Sequence, residues 1–242
     1  MEGEIRVETD GEIGKITMSR PGKLNAMTAK MLQDFDEAVS NLTNNPDISI
    51  LVFTGHGKKA FCAGFDLNMI QSLKGEEHYN FFKGIEKTIS KIRQARTCLT
   101  IAAVNGYAVG FGAMIICACD FRLFSKDAAF RLPEIDIDIF PGAGAASNLL
   151  HLVGPARTKD ILLTGRMVAS GECYRLGIAD RLYELDELMD GAMDFARELL
   201  KKDQLILLRT KTLVDGMAGE TIADAEALEA TYLEEWLREH KE

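Results

Sequence analysis

The chain has 242 residues, 47% of them hydrophobic, and a formal net charge of −9. That length can bury a large core, as one domain or as one domain with an appendage. The acidic balance without any basic block excludes a nucleic-acid partner, and no run approaches the roughly 18 apolar residues of a membrane span, so no membrane contact is expected.

In chain order, Ile5 and Val7 alternate with polar residues, Asp10-Gly11 makes a turn, and Ile13 to Met18 returns, which predicts a β-hairpin. Thr28 is placed to cap a helix whose apolar positions, Met31, Leu32, Phe35, Ala38, Val39 and Leu42, share one face. Ile48 to Phe53 is almost continuously apolar, as in a parallel strand covered on both sides. Residues 68 to 97 read as polar and weakly helical, with 72 to 80 expected to be mobile.

Leu99 to Val104 reads as a strand and runs into Asn105 to Asp120, where glycines 106, 110 and 112 release the backbone before a small-residue helix from Ala113. A strand passing through glycines into a helix leaves N–H groups unpaired at the helix start, aimed at any negative charge held there. Leu132 to Ile139 alternates apolar with acidic residues and ends at Pro141-Gly142-Ala143-Gly144. Short helices are expected at Ala145 to Val153, Ala156 to Leu163, and Ser170 to Leu176 with Gly177 as a stop. From Leu185 onward the pattern is helical, with Thr221 and Asp224 opening a last helix. The expected division is a core over residues 1–185 and a helical region over 186–242.

The five cysteines, at 62, 98, 117, 119 and 173, contain no Cys-x-x-Cys pair and sit among small or apolar residues, which predicts buried thiols. The four histidines are scattered, so no protein-bound metal is expected. The opening Met-Glu-Gly-Glu-Ile lacks the basic and apolar regions of a signal peptide, which predicts a cytoplasmic protein.

Several motifs stand in register: Ala60-Phe61-Cys62-Ala63-Gly64-Phe65-Asp66-Leu67, Ala102-Ala103-Val104-Asn105-Gly106 with Gly110-Phe111-Gly112, Ala118-Cys119-Asp120, Pro133-Glu134-Ile135, Pro141 to Gly144, and Leu163-Thr164-Gly165-Arg166. In order and spacing these resemble the enoyl-CoA hydratase/isomerase (crotonase) family over about residues 5 to 183. The resemblance implies an α/β fold, a ClpP-like spiral of ββα turns with a C-terminal helical trimerisation region. It also implies an acyl-CoA thioester substrate and a homotrimer or dimer of trimers. No cofactor is implied, because coenzyme A belongs to the substrate.

By motif position, the family's two oxyanion-hole N–H groups fall on Phe65 and Phe111. Family members usually carry glycine where Phe111 stands, which leaves the backbone angle and pocket shape there to be determined. Hydratases of the family use two glutamates. The first falls here on Met114, which can neither accept a proton nor hold a water, and the second is Glu134. An apolar first position with a glutamate second resembles the Δ3,Δ2-enoyl-CoA isomerases of fatty-acid metabolism, in which one base takes a proton from C2 and returns it at C4. Lys23, Leu24 and Ala26 match the segment beside the CoA ribose and phosphates, with Lys23 as the charged contact. Ala63, Asp66 and Leu67 would meet the rest of CoA, while the carboxylates of Asp66 and Asp120 are read as bonding loop amides. The dehalogenase and dienoyl isomerase subgroups need an aspartate where Gly142 stands and are disfavoured.

Hydratase activity and a non-catalytic acyl-CoA-binding role stay open as alternatives. A dinucleotide site at Gly142-Ala143-Gly144 lacks the third glycine and a following acidic residue, Gly55-x-Gly57-Lys58 is too short for a phosphate loop, and no Gly-x-Ser-x-Gly elbow occurs.

Overall fold

A computed structural model describes residues 3–239; residues 1–2 and 240–242, at the outer ends of the two expected regions, lie outside it. Strands β1 (Glu4–Asp10) and β2 (Ile13–Ser19) form the expected antiparallel hairpin around Asp10-Gly11, with Gly11 at φ +58°. Helix α1 (Ala29–Thr43) starts where predicted: the Thr28 hydroxyl accepts from Met31 N–H at 3.1 Å, and the six apolar positions named above are all buried.

From there the chain winds in turns that each give one strand to a larger sheet and one to a smaller. The first turn holds β3 (Ile50–Gly55) and β4 (Ala60–Cys62), followed by α2 (Leu67–Ser72) and α3 (Gly75–Arg93). The second holds β5 (Leu99–Val104), β6 (Tyr107–Val109) and α4 (Phe111–Ala118). The third holds β7 (Phe121–Ser125), β8 (Ala129–Arg131), a 3-10 turn over Glu134–Ile137, and α5 (Ala145–Thr164). β9 (Val168–Ala169), α6 (Ser170–Leu176) and β10 (Arg181–Tyr183) complete the winding. The larger sheet has the order β1-β2-β3-β5-β7-β10, parallel from β2 onward, and the smaller has β4-β6-β8-β9. These are the α/β turns of two strands and a helix expected from the motifs.

Glycine is required where one turn crosses the next. A Cβ on Gly55 would stand 2.3 Å from Ala60 O, and one on Gly106 would stand 2.3 Å from Lys59 O. Asn105, buried at the same crossing, accepts from Gly55 N–H at 3.1 Å and donates to Gly55 O and Gly57 O at 2.9 and 2.7 Å. Asp120 closes the next crossing by accepting from the N–H and hydroxyl of Thr100 at 2.7 and 2.9 Å. Its role is structural, as expected, but the N–H it binds belongs to strand β5 and not to a loop.

Residues 68 to 97, expected to be weakly helical, contain α2 and the 19-residue α3, which buries Ile85, Thr88, Ile89 and Ile92. In the alternating segment over 132 to 139, Pro133 leads into the 3-10 turn, and Asp138 ends it in the left-handed region at φ +54°. α5 keeps the expected break, with Gly154 at φ +71° before Pro155.

Helices α7 (Leu188–Leu200), α8 (Gln204–Met217) and α9 (Ile222–Glu239) follow. The chain forms two compact units, Met1–Leu199 and Leu200–Glu242. α7 belongs with the first unit because Leu188, Ala192, Phe195 and Ala196 are buried, with the Phe195 ring 5.0 Å from that of Phe121. Within the second unit Arg209 pairs with Glu239 at 2.7 Å. All five cysteines are buried, and burial pushes the thiols of Cys62, Cys117 and Cys173 up to about 12. No helix among the described residues is long and apolar enough to cross a membrane, and no cluster of three metal-ligating side chains occurs among them.

Candidate active site

A cavity of about 390 Å³ opens in the first unit, and three of the sequence motifs meet in its wall. Ala63, Gly64 and Phe65 follow β4, Leu67 opens α2, Gly110, Phe111 and Met114 lie at the start of α4, and Pro133 and Glu134 follow β8. Chain winding accounts for this meeting, because β4, β6 and β8 are neighbours in the smaller sheet and each motif lies just beyond one of their ends.

α4 begins at Phe111, two residues before the expected start, with Gly110 as its cap at φ +53°. Phe111 is therefore the first helical residue, and its N–H has no intrahelical acceptor. The aromatic side chain does not disturb this. Phe111 is absent from the residues with positive φ, and its buried ring packs 5.8 Å from that of Phe35 and 4.8 Å from that of Phe65. All eight residues of α4 are buried, as an all-apolar helix requires.

The second segment is held by the loop before α1. Ala63 N–H donates to Leu24 O at 3.1 Å, Met27 N–H to Gly64 O at 2.8 Å, and Asp66 N–H to Met27 O at 3.1 Å. That pattern uses the groups on either side of Phe65 and leaves the Phe65 N–H outside it. Gly64, at φ +86°, brings the two segments together: a Cβ there would lie 3.1 Å from Val109 O and 3.8 Å from Phe111 N. The N–H groups of Phe65 and Phe111 thus stand on adjoining backbone in one cavity wall.

Glu134 is 5% exposed, and its Oε2 has no hydrogen-bond partner. Burial raises its carboxyl above the ordinary 4.5, partly offset by its own backbone N–H. Asp136, two residues on, is paired instead with Arg131 at 2.6 Å, so the acidic run splits into one buried and one tethered carboxylate. Met114, 9% exposed, lines the same cavity. Glu86 also reaches its wall, but is exposed and bonded to Lys83 at 2.6 Å.

Lys23, Leu24, Ala26 and Asp66 do not line this cavity. Lys23 ends an exposed 3-10 turn, and Leu24 and Asn25 take left-handed backbone angles, φ +51° and +57°. Asn25 pins that turn by donating to Ala60 O at 2.7 Å. The Asp66 carboxylate caps α2 through Asn68 N–H at 3.1 Å and pairs with Arg20 at 3.2 Å, and the Arg20 bond holds it below the usual carboxylate range. The structural role expected for that carboxylate accounts for its position.

One whole wall was missing from the motif picture. Tyr79, Phe82 and Ile85 of α3 and Ile137, Ile139 and Phe140 after the 3-10 turn make the cavity apolar. The three- and four-residue spacing of Tyr79, Phe82, Ile85, Ile89 and Ile92 was the available signal.

Known proteins share this design. The chain is 30% identical over 226 residues to crotonyl-CoA hydratase of Syntrophomonas wolfei, covering 93% of this chain and 86% of that protein. It is 31% identical over 223 residues to the peroxisomal Δ(3,5)-Δ(2,4)-dienoyl-CoA isomerase of Arabidopsis thaliana, with 87% and 80% covered. Its fold matches a Thermobifida fusca protein solved in complex with CoA, with a TM-score of 0.86 and 28% identity over 97% of this chain and 93% of that one. A family model for enoyl-CoA hydratase/isomerase matches residues 8–242, and the chain belongs to the enoyl-CoA hydratase/isomerase family.

Proposed function

We propose that the protein moves the double bond of a 3-enoyl-CoA thioester from C3 to C2, with Glu134 as the single acid and base. The observation that carries this reading is the contrast between two positions in one apolar wall. Glu134 offers a buried carboxylate with a bare oxygen, and Met114 offers a thioether where a hydratase needs a second carboxylate.

Glu134 takes a proton from C2, and the electrons move onto the thioester oxygen. The N–H groups of Phe65 and Phe111 donate to that oxygen; one such donor contributes roughly 10²- to 10³-fold in rate. The protonated Glu134 then gives its proton to C4, leaving the conjugated 2-enoyl thioester with no water consumed. Burial suits the task, since a carboxyl with a raised pKa both accepts and returns a proton more evenly. On this reading Lys23, Leu24 and Ala26, with Ala63, Asp66 and Leu67, carry the CoA moiety. The Thermobifida fusca complex with CoA supports a CoA ligand.

Hydration of a 2-enoyl thioester is the second reading, favoured by relatives named as hydratases. It requires a group that holds the attacking water, and a methionine sulfur is at best a weak acceptor. The exposed apolar side chains of Leu205, Val214, Ile222 and Leu233 on α8 and α9 support self-association through the second unit, as a trimer or dimer of trimers.

The base must be ionised to start the reaction, so acidity is the test. The kcat/KM for double-bond movement in 3-enoyl-CoA is expected to fall as pH drops through a limb lying above 4.5, the ordinary value from which burial raises Glu134. A profile that stays flat down to pH 4.5 would remove Glu134 from the base role.

A further inference from the structure

Next to the apolar cavity lies a smaller chamber of about 210 Å³, and the two share Glu86 and Ala143 in their walls. The lining changes character across that boundary. One side of the chamber is the end of α3, with Ser90 and Gln94, and the other is the start of α5, with Gly144, Ser147 and Asn148.

The side chains lining this chamber are chiefly polar. Gln94 donates to the Ser90 hydroxyl oxygen at 2.9 Å, which leaves the Ser90 proton for another acceptor. Ala145 N–H is used by Gly142 O at 3.0 Å, but Ala146 and Ser147, in the first turn of α5, have no intrahelical acceptor for theirs. Asn148 is 8% exposed, and among the described residues nothing bonds its side-chain amide. Gly144 makes room for that amide, since a Cβ there would stand 2.8 Å from Asn148 Nδ2. The amide lines the chamber without a protein partner, so it is available to a ligand there. The helix start brings positive potential, and Glu86, the one acid in the wall, is already bonded to Lys83 at 2.6 Å.

The geometry points to a subsite for a carboxylate at the far end of the acyl chain, held by the Asn148 amide, the Ser147 and Ser90 hydroxyls and the first N–H groups of α5. The substrate class would be CoA half-thioesters of dicarboxylic acids. This rests on the acyl-CoA reading above, but not on which reaction follows.

Calorimetric titration with saturated thioesters, which cannot turn over, tests it. The wild-type protein is expected to bind adipyl-CoA, with a carboxylate end, roughly tenfold or more tightly than hexanoyl-CoA, with a methyl end. Asn148→Leu is expected to bring the two near parity, and Ser147→Ala, at an exposed position, to reduce the preference with the fold intact by circular dichroism. Equal or weaker binding of adipyl-CoA by the wild type overturns the subsite and leaves acyl-CoA binding standing, whatever the variants do. Binding of neither thioester overturns both readings. Free adipate titrated into the hexanoyl-CoA complex is expected to give no saturable heat; saturable binding that Asn148→Leu abolishes would assign the chamber to a separate anion and overturn the acyl-tail assignment.

Discussion

Replacing Glu134 by glutamine is expected to lower kcat for double-bond movement by about 10²- to 10⁴-fold, the usual contribution of a positioned general acid–base. Acyl-CoA binding should survive, because the amide keeps the shape of the carboxyl and the apolar wall is untouched. A second effect runs the opposite way. The folded-state carboxyl titrates above its unfolded value because burial disfavours the charged form. Below the unfolded value both states carry the proton and nothing is lost. As pH rises through the folded value, the buried group must ionise and that share of stability disappears. Glutamine cannot ionise, so Glu134→Gln is expected to melt higher than the wild type at neutral and alkaline pH, with the gap closing towards pH 4.5. Paired melting curves and turnover rates check both halves. Retained turnover would remove Glu134 from the chemistry, and an equal or lower melting temperature at pH 8 would show that its burial carries no cost.

Gly112→Ala is expected to have the largest effect on both stability and rate among the glycines beside the cavity. A Cβ at that position would stand 2.3 Å from Cys62 O and 2.9 Å from Cys62 Cβ, both fixed on β4 inside the core. Backbone cannot yield as a flexible side chain can, so α4 must lift from β4. Overpacking of this kind costs about 1–3 kcal/mol, and here the upper end is expected. Any shift at Gly112 also moves Phe111, its neighbour in the first turn of α4. An ångström of misplacement at a catalytic group costs on the order of 10²-fold in rate. Circular dichroism melts and turnover of whatever remains soluble measure the two effects. Gly171→Ala in α6 is the control, because its Cβ would meet nothing nearer than 3.8 Å and alanine favours a helix. Wild-type stability and rate in Gly112→Ala would show that the α4–β4 contact neither limits packing nor sets the donor.

The sequence was most informative where one chemical requirement acts on one short segment. The hairpin at Asp10-Gly11, the Thr28 cap and the continuous apolar run of β3 each follow from local rules, and each forms. The three motifs around Phe65, Phe111 and Glu134 could be read together because their order and spacing are specific, although only the winding of the chain shows that they share a wall. Residues 68 to 97 were harder for a physical reason. The apolar stripe of α3 is buried in the core at Ile85, Ile89 and Ile92 but borders a cavity at its N-terminal end, with Tyr79 and Phe82. Polar residues such as His78, Lys83 and Glu86 beside that stripe lower its contrast, which weakens the helical signal. The acidic alternation around Glu134 does not reveal which carboxylate is buried: Pro133 and the left-handed Asp138 bound a tight turn that buries Glu134 and leaves Asp136 to Arg131. The polar chamber beside Asn148 has no sequence signature, because α3 and α5 are brought together only by the third dimension.

The most direct test of the single-carboxylate isomerase is a partition experiment on the purified wild-type protein. It is incubated in parallel with 3-enoyl-CoA and 2-enoyl-CoA of equal chain length. Chromatography follows movement of the double bond, and mass spectrometry follows addition of water. Rapid conversion of 3-enoyl-CoA to 2-enoyl-CoA, with little 3-hydroxyacyl-CoA from either substrate, is the expected result. Rapid hydration of 2-enoyl-CoA with slow or absent movement of the 3-enoyl double bond would contradict the account.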